Sequence, residues 1–316
     1  MEGAPDLSVC LVNYEGGQPL LETLARLPEL AAPLTLERIV VDNASRDGSP
    51  ERIERELPEV RLLLNEENLG FARGCNQAAA AARGRLLLFL NADALPEPGA
   101  LPALARALDE RPEVAAVGPR LHDEAAGVER SAGPAPRLAG LLHRVRWLRW
   151  TRLFRAAHRR WRFAEPPAAE APVERLGGAA LLVRRGAPAW DEGFPFGLED
   201  VDLSLRLGAE GQLLYLPQAK VLHRGGVSTR KNLAFARNAF EVGYARYLRK
   251  HDPRPWAAAL YRLAVTLDWP LRLLLSGCTL ARRCLDPERR GLAWGELRAT
   301  WDFVARGWVF RLWRAG

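Results

Sequence analysis

The first 120 residues alternate between two hydrophobic periods, and this alternation constrains the fold more than any other feature of the chain. Apolar runs of strand length occur at 7–13, 37–43, 60–65, 85–91 and 114–120. Segments with helical spacing lie between them at 19–30, 70–82 and 99–110, and a further helix is expected to follow Ser49 as N-cap, with Pro50 at its first position. Strands and helices that alternate in this way predict an α/β fold with a mostly parallel sheet.

Polar side chains follow several of these strands at the point where the strand ends. Asp42 and Asn43 end the second strand, Asn65 ends the third, and the fourth ends at Asn91 and Asp93. In an open parallel sheet the carboxyl ends of the strands form one rim, where ligands bind. Turn preference alone explains any one of these residues, but the series favours a binding site at that rim.

The common phosphate-binding loops are missing from the sequence. The first strand is not followed by a GxGxxG segment, and the chain has no Walker A lysine motif. The chain therefore lacks the phosphate-binding loop of a nicotinamide dehydrogenase or a P-loop NTPase. A metal ion is the usual substitute for such a loop in binding phosphates. Asp93 is a candidate ligand for Mg²⁺ or Mn²⁺, which prefer oxygen ligands and bridge diphosphates. His223 after a later strand and the pair Glu199–Asp200 at a helix start are further candidates, although structural and capping roles are common for such residues.

Residues 134–172 have a different composition from the rest of the chain. Positions 136–163 contain nine arginines and no acid, and aromatic residues recur at helical spacing, namely Trp147, Trp150, Phe154 and Trp161. A basic amphipathic helix on an anionic membrane is the favoured interpretation. A cap whose tryptophans pack on the protein core remains open. Nucleic acid is the least favoured partner, because no known binding module accompanies the basic segment.

The remaining sequence predicts a helical C-terminal part. The run 233–250 is amphipathic, and 255–285 is apolar but is interrupted by charged residues and a proline, so an in-plane or packed helix is favoured over a membrane span of ~20 residues. The net charge of +7 fits an anionic partner. Four cysteines without CxxC spacing and a short acidic N-terminus without a signal-peptide core predict a cytoplasmic protein with reduced, buried thiols.

Seven segments together resemble glycosyltransferase family 2, and in particular its bacterial rhamnosyltransferase-like branch. They are VNYEGG, IVVDNASRDGS, NEENLGFARGCNQA, LLFLNADA, GGAALLVRR, FPFGLEDVDLSLRL and HRGGVST, spread over residues 7–245. The resemblance implies a Rossmann-like GT-A domain for nucleotide-sugar binding over 1–232, with 134–172 as a basic amphipathic insertion. It leaves 233–316 as an amphipathic helical extension that associates with a membrane. It also implies a dTDP- or UDP-sugar donor and a Mg²⁺ or Mn²⁺ cofactor.

The resemblance assigns roles to particular residues. The residues implied to contact the nucleotide are Asn13, Tyr14, Asp42, Asn68, Gly70, Arg73, Asn76 and Asn91. Asn91 stands where the family's DxD motif has its first acid, so metal binding rests on Asp93, with His223 at a position that binds metal in some relatives. The family's acidic pair maps onto Glu199 and Asp200, with Asp200 as the general base.

The glycine-rich segment 225–232, with Arg230 and Lys231, is expected to close over the diphosphate. The implied reaction is an inverting transfer of a sugar, rhamnose from dTDP-rhamnose in this branch, to a cell-envelope polysaccharide or lipid-linked acceptor at the inner face of the cytoplasmic membrane. Donor base, acceptor and a homo-oligomeric state are not fixed by the sequence.

Two alternatives of other classes stay open. A sugar-phosphate nucleotidyltransferase would need a basic glycine-rich N-terminal loop, whereas NYEGGQP carries no basic residue. A non-catalytic protein that binds nucleotide sugars or nucleic acid would be expected to lack Asp93 or the pair Glu199–Asp200, and all three are present.

Overall fold

Strands and helices alternate along the chain as the hydrophobic periods predict. The computed structural model describes residues 3–123, 127–224, 233–283 and 287–315. The strands are β1 (Leu7–Asn13), β2 (Leu36–Asp42), β3 (Arg61–Leu64), β4 (Leu86–Asn91), β5 (Ala94–Pro96), β6 (Val114–Asp123), β7 (Gly127–Val128), β8 (Ala132–Gly133), β9 (Ala171–Pro172), β10 (Arg175–Leu176), β11 (Ala180–Arg184) and β12 (Gln212–His223). The helices are α1 (Gly17–Ala31), α2 (Ser49–Glu56), α3 (Phe71–Ala81), α4 (Ala100–Asp109), α5 (Leu138–Leu142), α6 (Arg146–Trp150), α7 (Arg155–Arg162), α8 (Glu199–Glu210), α9 (Leu233–His251), α10 (Ala257–Arg283), α11 (Pro287–Ala305) and α12 (Trp308–Arg314).

The chain divides into two compact units. Unit 1 comprises Met1–Pro134, Glu165–Glu192 and Glu199–Gly225, and unit 2 comprises Ala135–Ala164, Gly193–Leu198 and Gly226–Gly316. The basic segment, expected as an insertion in the first domain, thus groups with the C-terminal helices.

Unit 1 is built on a mixed sheet with the strand order β3-β2-β1-β4-β11-β6-β12-β5. β1 pairs in parallel with β2 and β4, and β2 with β3, so the first four predicted strands form one parallel block. β11 runs antiparallel to both β4 and β6, while β12 is parallel to β6. The later strand that ends at His223 is β12, and its pairing register shifts between Leu216 and Lys220. Pro217, which cannot donate to the ladder, lies within this shift.

Helices cover both faces of this sheet, which explains why its strands are almost continuously apolar. Leucines of α1 and α4 pack on one face together with Val9 and Leu11. Residues of α3 and α8 pack on the other face together with Cys10. Gly74 lets α3 approach β1, because a Cβ there would lie 2.8 Å from both methyl carbons of Val12. This packing fixes the strand ends, and with them the rim predicted to bind ligand.

The cysteines agree only in part with the sequence prediction. Cys10 and Cys75 are unpaired and buried among the described residues, as expected, whereas Cys278 on α10 is unpaired and exposed.

Unit 2 contains the basic segment as three short helices instead of one long one. Arg152 and Phe154 adopt positive φ angles of 59° and 61°, which interrupt a continuous helix. Trp161 is buried, as the cap interpretation expects, but Trp147 and Trp150 are 39% and 64% exposed. The cap interpretation therefore describes Trp161, and the membrane interpretation stays a prediction.

A buried ionic cluster joins the basic segment to the C-terminal helices within unit 2. The Arg144 guanidinium lies 4.6 Å from the centroid of the Tyr244 ring and 3.9 Å from Glu241 Oε1. Glu241 also accepts a hydrogen bond of 2.9 Å from Arg272 Nη1 and another from the Tyr261 hydroxyl. Burial opposes ionisation of Glu241, but Arg272 and Arg144 outweigh it and lower its pKa to about 2. Because a buried charge is tolerated only when paired, this cluster explains the grouping of 135–164 with unit 2.

One helix of unit 2 is long and apolar enough to cross a membrane, by length and composition alone. It is the stretch Ala257–Arg282 within α10. Its 18-residue apolar window has a mean hydropathy of 1.2, and 22% of that window is buried. Two of the charged residues that interrupt this apolar stretch pair with each other inside unit 2. Asp268 is fully buried and forms an ion pair with Arg272. This pairing is what a packed amphipathic helix requires.

Candidate active site

The ends of β1 and β2 are locked together by Asn13, which is fully buried. Its Nδ2 donates to Asp42 Oδ1 at 2.7 Å and to Ser49 Oγ at 2.8 Å, and its Oδ1 accepts from the Gly16 amide at 3.0 Å. Ser49 is therefore not the N-cap expected from the sequence. Gly48, with a φ of 77°, precedes the helix, and Ser49 begins it with its hydroxyl turned to Asn13.

Asn13 and Tyr14 are neighbours in sequence but have opposite surroundings. Asn13 uses its amide within the protein, so its proposed part in nucleotide binding is to hold Asp42 in place. Tyr14 is 50% exposed, which leaves its ring accessible for stacking on a base.

A chain of amides connects the next two strand ends to the start of α3. Asn65 Nδ2 donates to Asn43 Oδ1 and to Gln77 Oε1, each at 2.9 Å, and Asn43 Nδ2 donates to the Gly70 carbonyl at 3.2 Å. Asn68 Oδ1 accepts from the Gly70 amide at 2.9 Å. Gly70 has a φ of 87°, in the region that favours glycine. Gln77 was missed in the sequence, because a polar residue on an alanine-rich helix carries no motif of its own.

Arg73 and Asn76, both on α3, contact residues 190–192 of unit 1. Asn76 Nδ2 donates to the Trp190 carbonyl at 3.0 Å and to Glu192 Oε1 at 2.9 Å, and its Oδ1 accepts from the Trp190 amide at 2.8 Å. Arg73 is mostly exposed and lies 3.9 Å from Glu192 Oε2. The hydrogen bonds of Asn76 therefore hold residues 190–192 in place, whereas the mostly exposed guanidinium of Arg73 retains N–H donors for a ligand.

The ends of β4 and β12 bring three predicted residues together. His223 Nε2 lies 3.2 Å from Asn91 Nδ2 and 3.4 Å from Asp93 Oδ1. His223 Nδ1 lies 3.0 Å from Oε1 of Glu129. Burial disfavours the charged imidazole, but the hydrogen bonds with Asp93 and Glu129 outweigh it and raise the pKa of His223 to about 9. Glu129 was missed because it follows a two-residue strand without a readable pattern.

These residues fit a divalent cation that displaces the proton from His223 Nε2, because a histidine binds metal only in its deprotonated form. Asp93 Oδ1 and His223 Nε2 converge, and Glu129 holds the other ring nitrogen, the arrangement that orients metal-bound histidines. Within the described ranges there is no group of three or more His, Cys, Asp or Glu side chains that could hold one ion. The protein would therefore supply two ligands, and a diphosphate and waters the others, as Mg²⁺ sites commonly do.

The acidic pair opens α8, with the two carboxylates in different environments. Asp200 Oδ2 accepts from the Gly178 amide at 3.1 Å, and Oδ1 accepts from the Val201 amide at 2.8 Å. Glu199 Oε2 is shielded from solvent and has no hydrogen-bond partner among the described residues. Burial, and then the charge of Asp200, raise the pKa of Glu199 to about 8. At neutral pH Glu199 is therefore mainly a protonated donor.

We expect Gly178→Ala to lower activity without unfolding the chain. A Cβ at Gly178 would lie 3.0 Å from Asp200 Cβ and 3.3 Å from Trp190 Cη2, so Asp200 must move. Since a misplacement of ~1 Å can cost ~10²-fold in rate, the few tenths of an ångström needed here should lower activity by less than that, given Asp200 as the predicted base. The matched control is Gly208→Ala on α8, where a Cβ meets nothing within 4 Å. Wild-type kcat in Gly178→Ala would show that this contact does not position Asp200.

We expect the stability of the protein to fall as pH rises toward 8 because of Glu199. The folded state keeps the Glu199 proton up to a pKa of about 8, whereas the unfolded chain releases it in the ordinary carboxyl range. The folded state then binds more protons, so the free energy of unfolding falls with rising pH in that window. Glu199→Gln, which mimics the neutral form, should reduce this slope in melting curves taken from acidic to alkaline pH. Identical slopes in both proteins would contradict the raised pKa.

Arg230 and Lys231, expected to close over the diphosphate, lie outside the described residues. Arg224, just before them, is described, and its Nη1 pairs with Glu22 Oε2 at 3.0 Å.

Comparison with known proteins identifies the family. The model of glycosyl transferase family 2 matches residues 8–167 of the chain. This range includes β1 to β8 and the Asn91–Asp93 corner. A relative from Mycobacterium tuberculosis, N-acetylglucosaminyl-diphospho-decaprenol L-rhamnosyltransferase, is 33% identical over 90% of this chain and 95% of its own length. The chain belongs to glycosyltransferase family 2.

Further comparisons extend this family assignment. An O-antigen biosynthesis protein of Myxococcus xanthus is 27% identical over 81% of this chain and 20% of its own length. Among solved structures, the mannosyltransferase PcManGT from Pyrobaculum calidifontis, in complex with GDP-Man and Mn²⁺, gives a TM-score of 0.51 at 18% identity. That match covers 95% of this chain and 87% of the mannosyltransferase.

The TarS protein of S. aureus also gives a TM-score of 0.51, at 15% identity over 86% of this chain and 43% of TarS.

The predicted α/β GT-A fold, the rhamnosyltransferase-like branch and the glycosyltransferase activity are confirmed. The nucleotidyltransferase and non-catalytic alternatives are thereby set aside.

Proposed function

We propose that this family 2 enzyme transfers rhamnose from dTDP-rhamnose to a lipid-linked acceptor, with inversion and with Mg²⁺ or Mn²⁺ as cofactor. The relative from M. tuberculosis, whose name describes a rhamnosyltransferase acting on a diphospho-decaprenol, supports the sugar and the acceptor class. The observation that carries the proposal is the convergence of Asp93 Oδ1 and His223 Nε2, 3.4 Å apart, at the carboxyl ends of two strands.

The donor would lie along the rim from β2 to β4. Asp42, held by Asn13, would accept hydrogen bonds from the base or ribose, and Tyr14 would stack on the base. Asn68 and Gly70 would shape the pocket wall beside the base. Asn91, whose Nδ2 lies 3.2 Å from His223 Nε2 beside the proposed cation site, would contact the nucleotide.

Asp93 and His223 would hold the cation. The cation supplies charge that neutralises the departing nucleoside diphosphate. Arg73, and Arg230 and Lys231 outside the described part, would add donors toward the phosphates.

Asp200 would act as the general base toward the acceptor hydroxyl. The Gly178 and Val201 amides, at 3.1 and 2.8 Å, orient its carboxylate. As the acceptor oxygen bonds to the anomeric carbon, Asp200 takes the hydroxyl proton, and the bond to the diphosphate breaks on the opposite face. Glu199, protonated at neutral pH, would donate a hydrogen bond that positions the acceptor.

Donor hydrolysis tests the proposal without knowledge of the acceptor. The purified enzyme is incubated with a panel of dTDP-, UDP- and GDP-sugars, with Mn²⁺ or with a chelator, and free nucleoside diphosphate is measured. We expect slow release from dTDP-rhamnose above the other donors, and only with metal. Equal hydrolysis in chelator, or no preference among the sugars, would contradict the proposed donor and cofactor.

We also propose that the basic segment and the C-terminal helices place the enzyme at the cytoplasmic face of an anionic membrane. Exposed Trp150 and Leu153 each follow an exposed arginine directly, Arg149 and Arg152 respectively. Aromatic and basic residues exposed together are typical of interfacial segments.

We expect binding to phosphatidylglycerol vesicles that is lost at high salt. Arg149→Gln with Arg152→Gln should weaken partitioning at least ~10-fold, because each basic residue near such a surface contributes ~1 kcal/mol. Arg26→Gln with Arg106→Gln, exposed positions of unit 1, form the control. Co-sedimentation that is equal for both double variants, or insensitive to salt, would contradict the membrane proposal.

A further inference from the structure

The outer face of α10 is apolar along most of its length. Four of its leucines are 39%, 48%, 61% and 64% exposed, namely Leu260, Leu263, Leu267 and Leu274. No exposed residue of 259–281 is charged. Asp268 and Arg272 of the same stretch pair with each other inside the unit. A surface helix of a globular protein normally has the reverse arrangement, with its polar side facing water, so the outer face of α10 is suited to an apolar partner.

The exposed positions of α10 have the spacing at which two helices pack side by side. From Leu260 to Leu274, with Pro270 among them, they recur three and four residues apart, as the a and d positions of a heptad do. Trp256, just before α10, is about half exposed, as is Trp313 of α12, whose Nε1 donates to Thr266 Oγ1 at 3.2 Å. A helix with this spacing is the partner that the face fits.

The size of this apolar face is close to that of a small protein interface. At ~200 Å² for a large side chain, the four leucines with Trp256 and Trp313 expose roughly 600 Å², compared with ~800 Å² per partner in a standard interface. An interface of this size would give a reversible association rather than a permanent one.

The exposed positions are also arranged symmetrically about the middle of the helix, between Pro270 and Leu271. Leu267 lies as many residues before this point as Leu274 lies after it, and Leu263 and Cys278 are related in the same way. In an interface between two copies related by a two-fold axis, one patch meets itself. Antiparallel α10 helices would therefore place Leu267 of one copy against Leu274 of the other, and Leu263 against Cys278.

The charge at the end of the face favours the antiparallel orientation over the parallel one. Arg282 is the exposed cation that follows the apolar positions. Parallel helices would place the two Arg282 side chains next to each other, where like charges repel. Antiparallel helices would separate them by roughly 35 Å, at ~1.5 Å per residue. Each Arg282 would instead lie near the exposed ring of Trp256 of the other copy, which attracts a guanidinium.

We propose that the outer face of α10 is the interface of a homodimer, in which two copies of the chain pack through antiparallel α10 helices. The leucines of one copy cover those of the other and remove the apolar face from water. This association requires neither the nucleotide sugar nor the cation.

Sedimentation velocity tests the interface. The full chain is run without detergent at concentrations across the micromolar range, and the sedimenting mass should rise from that of one chain toward that of two. Leu267→Glu with Leu274→Glu should weaken the dimer at least ~10-fold, because a charge buried without a partner is unfavourable. Leu64→Glu with Val128→Glu, at exposed apolar positions of unit 1, should dimerise as wild type. Circular dichroism melting confirms that both variants fold.

A disulfide across the interface tests its orientation. In a Cys284→Ser background, Leu263→Cys adds a thiol to that of the exposed Cys278, while Cys10 and Cys75 are buried. Within one helix the two positions are ~22 Å apart at ~1.5 Å per residue, whereas a disulfide needs Cβ atoms ~4 Å apart. Mild oxidation should therefore join the introduced thiol of one copy to Cys278 of the other, as peptide mass spectrometry would show.

Four outcomes would overturn the proposal. The first two are a wild-type chain that stays monomeric and equal dimerisation of the two glutamate double variants. The third is a disulfide that joins Cys278 of one copy to Cys278 of the other, which would indicate parallel helices. The fourth is protection of Cys278 from a water-soluble maleimide only when phosphatidylglycerol vesicles are added, which would assign the face to lipid.

Discussion

Asp93→Ala is expected to abolish metal-dependent binding of the nucleotide sugar and to lower kcat by at least ~10³-fold. The carboxylate is the one acidic group of the Asn91–Ala92–Asp93 corner, since Asn91 contributes an amide that contacts His223. Without Asp93, His223 Nε2 would be the single ligand left of the proposed pair. Titration calorimetry of dTDP-rhamnose with and without Mn²⁺ measures the loss directly.

Asp109→Ala is the matched control for this substitution. Asp109 is an exposed aspartate of unit 1 that forms a surface ion pair with Arg85, and such pairs contribute little to stability. It should bind donor and metal as wild type. Metal-dependent donor binding that survives in Asp93→Ala would show that the cation, if one is used, is held elsewhere.

Asp200→Asn is expected to lower kcat for transfer by ~10²- to 10⁴-fold while leaving the affinity for the donor near that of wild type. An amide of the same shape fills the place of the carboxylate beside the Gly178 and Val201 amides, but it cannot accept the acceptor's proton. The loss should therefore appear in kcat rather than in donor binding. Single-turnover transfer and donor calorimetry on the same preparation separate the two.

Glu210→Gln, at the exposed end of α8, controls for loss of a carboxylate from the same helix. It should retain wild-type transfer. If Asp200→Asn also retains wild-type kcat, Asp200 is not the base. Loss of transfer in Glu199→Gln at every pH would then assign that role to Glu199.

The strand ends were readable from the sequence because one local rule fixes them. The apolar runs of β1, β2 and β4 are followed by Asn13, Asp42 and Asn91, and the strands end at these residues as expected. His223 ends β12, and Asp93 lies in the turn between β4 and β5, so both residues lie where strands end. The specific role of each residue remains a prediction.

The sequence could not show contacts that join distant parts of the chain. His223 meets Glu129 across 94 positions, and Asn76 holds Trp190 across 114. The basic segment meets the C-terminal helices of unit 2 through contacts such as those of Arg144 with Glu241 and of Trp161 with Tyr244. Periodicity describes which side of an element is buried, but it does not say which partner covers it.

A structure of the enzyme crystallised with dTDP and Mn²⁺ tests the central claim most directly, because the anomalous signal of manganese locates the ion. We predict the ion within coordination distance of an Asp93 carboxylate oxygen, of His223 Nε2 and of both phosphates of the nucleotide. A manganese peak on the diphosphate that leaves Asp93 and His223 uncoordinated would contradict the account.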